Sequence, residues 1–212
     1  MNYLISWLFF ALIVAATYCL GSLSFAVIIS QLMKLPNPHT YGSGNPGATN
    51  VLRSGNKIAA SLTLVLDAAK GWLAVSAVQY IATYSLLNLT TNQYQYLIGL
   101  SIVAVFLGHL FPIFYSFKGG KGVATAAGIL IAIQPLLGGL TVLTWLIVAL
   151  IFRYSSLSAL ISAVFAAIYS SVWLDLSPIS LAILTISSLL IWRHTANIRN
   201  LLAGQEKKIG KK

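Results

Sequence analysis

Long apolar runs alternate with short, polar, glycine-rich stretches along this chain. No Lys, Arg, Asp or Glu occurs from Gly71 through Phe117, nor from Gly122 through Phe152. A helix that crosses the bilayer core needs about 20 apolar residues. By that measure the pattern predicts helices near 4–33, 58–83, 96–116, 123–134, 139–152, 156–174 and 177–192. The apolar stretch from Leu4 to Met33 is too long for a signal peptide and has no basic segment before it, so it reads as a retained helix. No internal repeat stands out, and residues 1–212 read as one integral membrane domain.

The stretch 122–152 is too long for one tidy span and too short for two full ones. Gln134-Pro135 and Gly138-Gly139 break its middle, where a turn is expected. Basic residues favour the cytoplasmic side of a membrane. If 122–152 is a hairpin, Lys34, Arg53, Lys57, Lys118, Lys121, Arg153, Arg193, Arg199, Lys207 and Lys208 all lie on one face. The opposite loops, 84–95, 135–138 and 175–176, then hold no Lys or Arg. The expected fold is therefore all-α and polytopic. It has seven transmembrane helices, two of them short, with the N-terminus outside and the C-terminus cytoplasmic.

Composition agrees. The chain of 212 residues is 58% hydrophobic and 8% charged, against about 25% charged in an average soluble domain. Its net charge of +10 is confined to loops between apolar runs, which suits anionic headgroups and small phosphorylated substrates better than nucleic acid. The single Cys19 excludes an intrachain disulfide and a multi-cysteine metal site.

Three polar segments carry the candidate chemistry. The first contains Gly42, Ser43, Gly44, Asn45, Thr49, Asn50 and Arg53. Glycine allows a backbone to approach a ligand, and an arginine can grip phosphate through two nitrogens. The second is Lys118-Gly119-Gly120-Lys121-Gly122, running into a helix, where free amides and two lysines suit an anion. It does not match the nucleotide-binding P-loop pattern. The third holds Arg193, His194, Asn197 and Glu206, with His194 and Asn197 on one helix face. A histidine near a helix end serves structure as readily as chemistry. Asp67 and Lys70, three apart within an apolar helix, read first as a packing ion pair and second as neighbours of a site. Ser155 and Ser156 stand at a helix start, where serines also cap.

Together these segments resemble the acyl-phosphate:glycerol-3-phosphate acyltransferase family. Gly42–Arg53, Phe117–Thr125, and Arg193-His194 through Asn197-Ile198 with Gly204 and Glu206 correspond, in order and spacing, to its three cytoplasmic motifs. The resemblance implies acyl transfer from acyl phosphate to the 1-hydroxyl of glycerol 3-phosphate in the bacterial cytoplasmic membrane. It implies a site built from Ser43, Arg53, Lys121, Ser156, His194 and Asn197, facing the cytoplasm, with no cofactor and no metal. It also implies a monomer in contact with membrane lipids and coupled to an acyl-ACP:phosphate acyltransferase. One departure lies upstream of the first motif, where Asn37 and His39 stand in place of an acidic residue and an arginine. The His-x4-Asp signature of other glycerol-3-phosphate acyltransferases is absent, since the residues five after His39, His109 and His194 are Gly44, Phe114 and Arg199. A permease for a small organophosphate is the competing class, but it predicts polar residues along a route through the membrane. Here they cluster on one face.

Overall fold

The computed structural model of the chain describes residues 3–84 and 89–210, so part of the expected 84–95 loop lies outside the described residues. The described residues form ten α-helices and a 3-10 turn at Ile113–Tyr115. The helices are α1 (Tyr3–Gly21), α2 (Phe25–Leu32), α3 (Ala48–Leu52), α4 (Lys57–Tyr84), α5 (Thr91–Leu110), α6 (Val123–Ile133), α7 (Pro135–Phe152), α8 (Ser155–Trp173), α9 (Pro178–Arg193) and α10 (Thr195–Leu202). No strand occurs among the described residues. Four helices (α4, α5, α7 and α8) are each long and apolar enough to cross a membrane. The number reaches six if α1 with α2, and α9 with α10, each count as one bent span. Helix α6 is apolar but shorter.

Helix α5 is the hub. It packs against α1, α4, α6 and α9. Of its most apolar stretch 67% is buried, against 22% for α7. Leu97, Ile98, Ile102, Val105, Phe106 and Leu110 of α5 are all fully enclosed. The outer helix α7 instead presents Leu143, Leu146, Ile147 and Leu150 outward. An apolar exterior around an apolar core is what lipid as solvent permits.

Small residues set the helix crossings, because lipid tails give helices no hydrophobic reason to associate and close backbone approach must supply the attraction. A Cβ at Gly71 of α4 would strike the Thr125 carbonyl, and one at Gly128 of α6 would strike that of Ala68. Gly21 and Gly108 lock α1 to α5 in the same way, against Val105 and Tyr18. Buried hydroxyls return to their own helix, as Thr63 Oγ1 does to Ala59 O and Ser162 Oγ to Ser158 O.

Two expectations need correction. The helix expected over 4–33 is two helices, α1 and α2, bent by 44°. The break at Ser22–Ser24 frees the Leu23 carbonyl, which accepts from Lys70 Nζ at 2.6 Å. The turn expected over 135–138 is a single residue, Gln134, which ends α6 and starts α7. Pro135 takes the first helical position, where its missing N–H costs nothing. After Arg193 the chain is helical again, as the spacing of His194 and Asn197 suggested, in α10, bent by 55° from α9.

Candidate active site

The loop ahead of α6 has no regular structure and little side chain of its own. Gly119 and Gly120 are buried, and Gly122 has φ +86°, a conformation open to glycine, as the residue before α6. No side chain caps the α6 amides. The loop is braced from α9. Arg193 donates from Nη2 to Gly119 O at 3.0 Å and Gly120 O at 3.1 Å, and from Nε to Gly120 O at 3.3 Å. Its guanidinium also lies over the Phe111 ring, 5.7 Å from the centroid.

Lys121 leaves this loop and donates to Asn197 Oδ1 on α10. Asn197 Nδ2 in turn donates to Glu206 Oε1 at 2.8 Å, and Ser156 Oγ donates to the same oxygen at 2.6 Å. The chain after α10 folds back to make this possible. Ile209 N donates to Arg153 O at 2.6 Å, fastening the tail to the α7–α8 junction. Burial pushes the Lys121 ammonium below its usual range. Glu206 opposes that shift, and Arg193 and Arg53 add to it. Arg53 of the first motif therefore shares one electrostatic neighbourhood with the second and third.

His194 sits at the bend between α9 and α10 and is buried. Its Nδ1–H donates to Leu190 O at 2.8 Å. That bond leaves Nε2 bare in the neutral ring. Burial lowers its pKa to about 4, against the pull of the Leu190 bond, with Lys121 and Arg193 lowering it and Glu206 raising it. The ring is neutral at pH 7.

The first motif folds around Asn50. Its Nδ2 donates to Pro38 O at 2.8 Å and Tyr41 O at 3.2 Å. Its Oδ1 accepts from Ser43 N at 3.0 Å and Arg53 Nη1 at 3.4 Å. Gly42 and Gly44 take φ of +62° and +65° to close this turn. Ser43, Thr49 and Arg53 remain exposed, and Thr49 Oγ1 shares a hydrogen bond with Ser155 Oγ at 3.2 Å. Lys118 is exposed and Asn45 partly buried.

The structure thus brings Lys121, Ser156, Arg193, His194, Asn197 and Glu206 together, with Arg53 close by. It changes the reading of three residues expected to meet substrate. The side chain of Asn50 is engaged by its own loop, Arg193 by two backbone carbonyls, and Glu206 is a carboxylate that would repel a phosphate. Sequence reasoning left out His109, whose ring abuts Gly120. Its place within an otherwise charge-free run was the available signal.

A family model described as glycerol-3-phosphate acyltransferase matches residues 11–204. The chain belongs to this family. It is 56% identical over 202 residues to the glycerol-3-phosphate acyltransferase of Paraburkholderia phytofirmans, covering 95% of this chain and 91% of that one. It is 57% identical over 198 residues to the enzyme of the same name from Ralstonia nicotianae, covering 93% and 92%. Crystal structures of PlsY, an integral membrane glycerol 3-phosphate acyltransferase, share the fold at 32% identity. The glycerol 3-phosphate form superposes with a TM-score of 0.84 over 95% of this chain and 96% of that one. The lysophosphatidic acid form gives 0.82 over 95% of each. These likenesses make the chain an integral membrane acyltransferase, as the three motifs suggested.

Proposed function

We propose that this enzyme transfers a fatty acyl group from acyl phosphate to the 1-hydroxyl of glycerol 3-phosphate, releasing lysophosphatidic acid and inorganic phosphate. The observation that carries the reading is the convergence of Arg53, Lys121, Ser156, His194 and Asn197, from four distant segments, at one end of the helix bundle. PlsY structures with glycerol 3-phosphate and with lysophosphatidic acid support it.

In the reaction the 1-hydroxyl oxygen bonds to the acyl carbon, the bond from that carbon to the phosphate oxygen breaks, and phosphate departs with the electron pair. The mixed anhydride is already activated, so positioning and charge stabilisation supply most of the catalysis. Lys121 and the amides of Lys118–Gly122 hold the departing phosphate. Arg53, Ser43, His194 and Asn197 hold glycerol 3-phosphate. His194, with a pKa of about 4, is a weak base at neutral pH. A substrate phosphate oxygen takes the hydroxyl proton instead. No acyl-enzyme and no metal take part.

Seven segments fit this reading. They are α1 with α2, then α4, α5, α6, α7, α8 and α9, forming a single domain with the N-terminus outside and the site facing the cytoplasm of a bacterial inner membrane. The enzyme works as a monomer, downstream of an acyl-ACP:phosphate acyltransferase that supplies the donor. The decisive experiment incubates purified enzyme with glycerol 3-phosphate and palmitoyl phosphate, and scores lysophosphatidate and phosphate in equal amounts. Palmitoyl-CoA should give little product. Equal rates with palmitoyl-CoA would overturn the donor assignment.

A further inference from the structure

Directly beneath the glycine loop runs a chain of buried polar side chains that the proposed acyl transfer does not use. Lys70 Nζ lies 2.8 Å from Asp67 Oδ1, and both side chains are almost wholly buried. The His109 ring comes next, with Nδ1 at 3.7 Å from Asp67 Oδ1 and sharing a 3.1 Å hydrogen bond with Thr125 Oγ1. Its other edge meets the loop. A Cβ on Gly120 would collide with His109 Nε2, and one on Gly119 would collide with the His109 carbonyl. That carbonyl also accepts from Gly120 N at 3.1 Å.

A buried ion pair inside a span is costly, and apolar residues of similar volume often serve stability as well or better. This network therefore calls for a reason beyond packing. The loop supplies one. Gly119 and Gly120 have no side chains with which to anchor themselves, and glycine carries the largest entropy cost of ordering. Their position must be imposed by neighbours. Arg193 grips the two carbonyls from α9, and Pro46 O of the first motif closes on Gly120 from another side. The His109 ring closes the remaining side, and its orientation is held by the Thr125 hydrogen bond, with Asp67 Oδ1 3.7 Å away.

We propose that His109 is a positioning residue for acyl transfer: its imidazole, held by Thr125 beside the Asp67–Lys70 pair, supports Gly119–Gly120 and so fixes where Lys121 presents its charge. The assignment rests on the acyltransferase reading. It predicts a steric coupling between one ring and one glycine that a general packing role would not produce.

The test uses the full-length enzyme and the variants His109→Ala, His109→Gln, Gly119→Ala, Gly120→Ala and the doubles of His109→Ala with each glycine variant. Rates are measured against glycerol 3-phosphate and palmitoyl phosphate, and thermal midpoints in detergent. A misplacement of about 1 Å can cost about a hundredfold. His109→Ala should raise KM for glycerol 3-phosphate about tenfold or more, in keeping with that sensitivity. His109→Gln, whose amide reaches the place of Nε2, should recover most of the loss. Gly120→Ala should regain part of its activity when His109→Ala removes the closest contact of its methyl, the Pro46 carbonyl at 3.0 Å remaining. Gly119→Ala should not, because the carbonyl it strikes remains. Wild-type KM in His109→Ala, or simple additivity of His109→Ala with Gly120→Ala, would overturn the proposal. If His109→Ala does not fold, His109→Ser takes its place in the cycle. A wild-type enzyme that makes no lysophosphatidate would sink the acyltransferase reading by itself. The ring–glycine coupling is then read from the midpoints, lowered in Gly120→Ala and partly restored in the double variant; midpoints that fall additively would count against it.

Discussion

Lys121 Nζ donates to Asn197 Oδ1 across 76 positions of sequence, joining the loop ahead of α6 to α10. Residues that share such a contact do not contribute independently. Lys121→Ala and Asn197→Ala should each lower the rate of lysophosphatidate formation about tenfold or more, since hydrogen bonds to charged groups contribute about 1.5–3 kcal/mol. The double variant should be scarcely worse than the weaker single. Multiplied losses in the double would show that the two act on separate steps.

Glu206 accepts from both Ser156 and Asn197, so its removal strands two donors, of which Ser156 is buried and Asn197 partly buried. Glu206→Ala should cost about 2 kcal/mol or more of stability, and Glu206→Gln, which keeps an acceptor oxygen, should cost less. Thermal unfolding in detergent measures both. An unchanged midpoint in Glu206→Ala would remove the tail from the elements that hold the site.

His194 links stability to pH. Its pKa is about 4 in the folded chain and about 6.5 when unfolded. Between those values the unfolded chain binds more protons, so this contribution is full above about pH 6.5 and is lost as pH falls toward 4. The difference amounts to about 3 kcal/mol. His194→Asn should flatten the acid limb of the midpoint–pH curve by that amount, and the activity profile should show no His194 limb near neutrality. An ionisation near pH 6.5 that vanishes in both His194→Asn and His194→Ala would identify the ring as a working base.

Arg53 is exposed and aimed by Asn50. Arg53→Ala should raise KM for glycerol 3-phosphate about tenfold or more. Arg53→Lys should recover only part, because an ammonium cannot contact two phosphate oxygens in plane. A wild-type KM in Arg53→Ala would take the residue out of the site.

Sidedness is open to labelling. In a Cys19→Ser background, cysteines at Gln93 and Ser177 should react with an impermeant maleimide outside intact cells, and those at Gly55 and Gln205 should not. External labelling at Gly55 or Gln205 would break the hairpin on which the proposed topology depends.

Much of the architecture could be read from where charge is missing. The limits of α4, α6, α8 and α9 fall within a residue or so of the expected ones, because polar, glycine or proline breaks bound the apolar runs there. The break between α1 and α2 could not be read, since it answers to Lys70 on another helix. The motifs named a set of residues but not the partners each finds within the chain. A motif names a residue type, and nothing in the type of Asn50, Arg193 or Glu206 distinguishes a substrate contact from a bond to the chain itself. His109 was hidden for the same reason, as its meaning lies in two glycines ten and eleven positions away.

The single-residue turn at Gln134 has a consequence for depth. At about 1.5 Å per residue, the eleven residues of α6 rise about 16 Å and the eighteen of α7 about 27 Å from the same point. In the proposed topology the glycine loop therefore stops about 10 Å short of the level that α7 reaches. A rise of about 27 Å nearly spans a hydrocarbon core of about 30 Å, so the loop lies below the headgroups, on the acyl-chain side of the interface. An acyl phosphate lying in the leaflet as a lipid does, tail among tails, would reach the loop from within the membrane. The polyol phosphate, not the fatty chain, would be the substrate that has to travel.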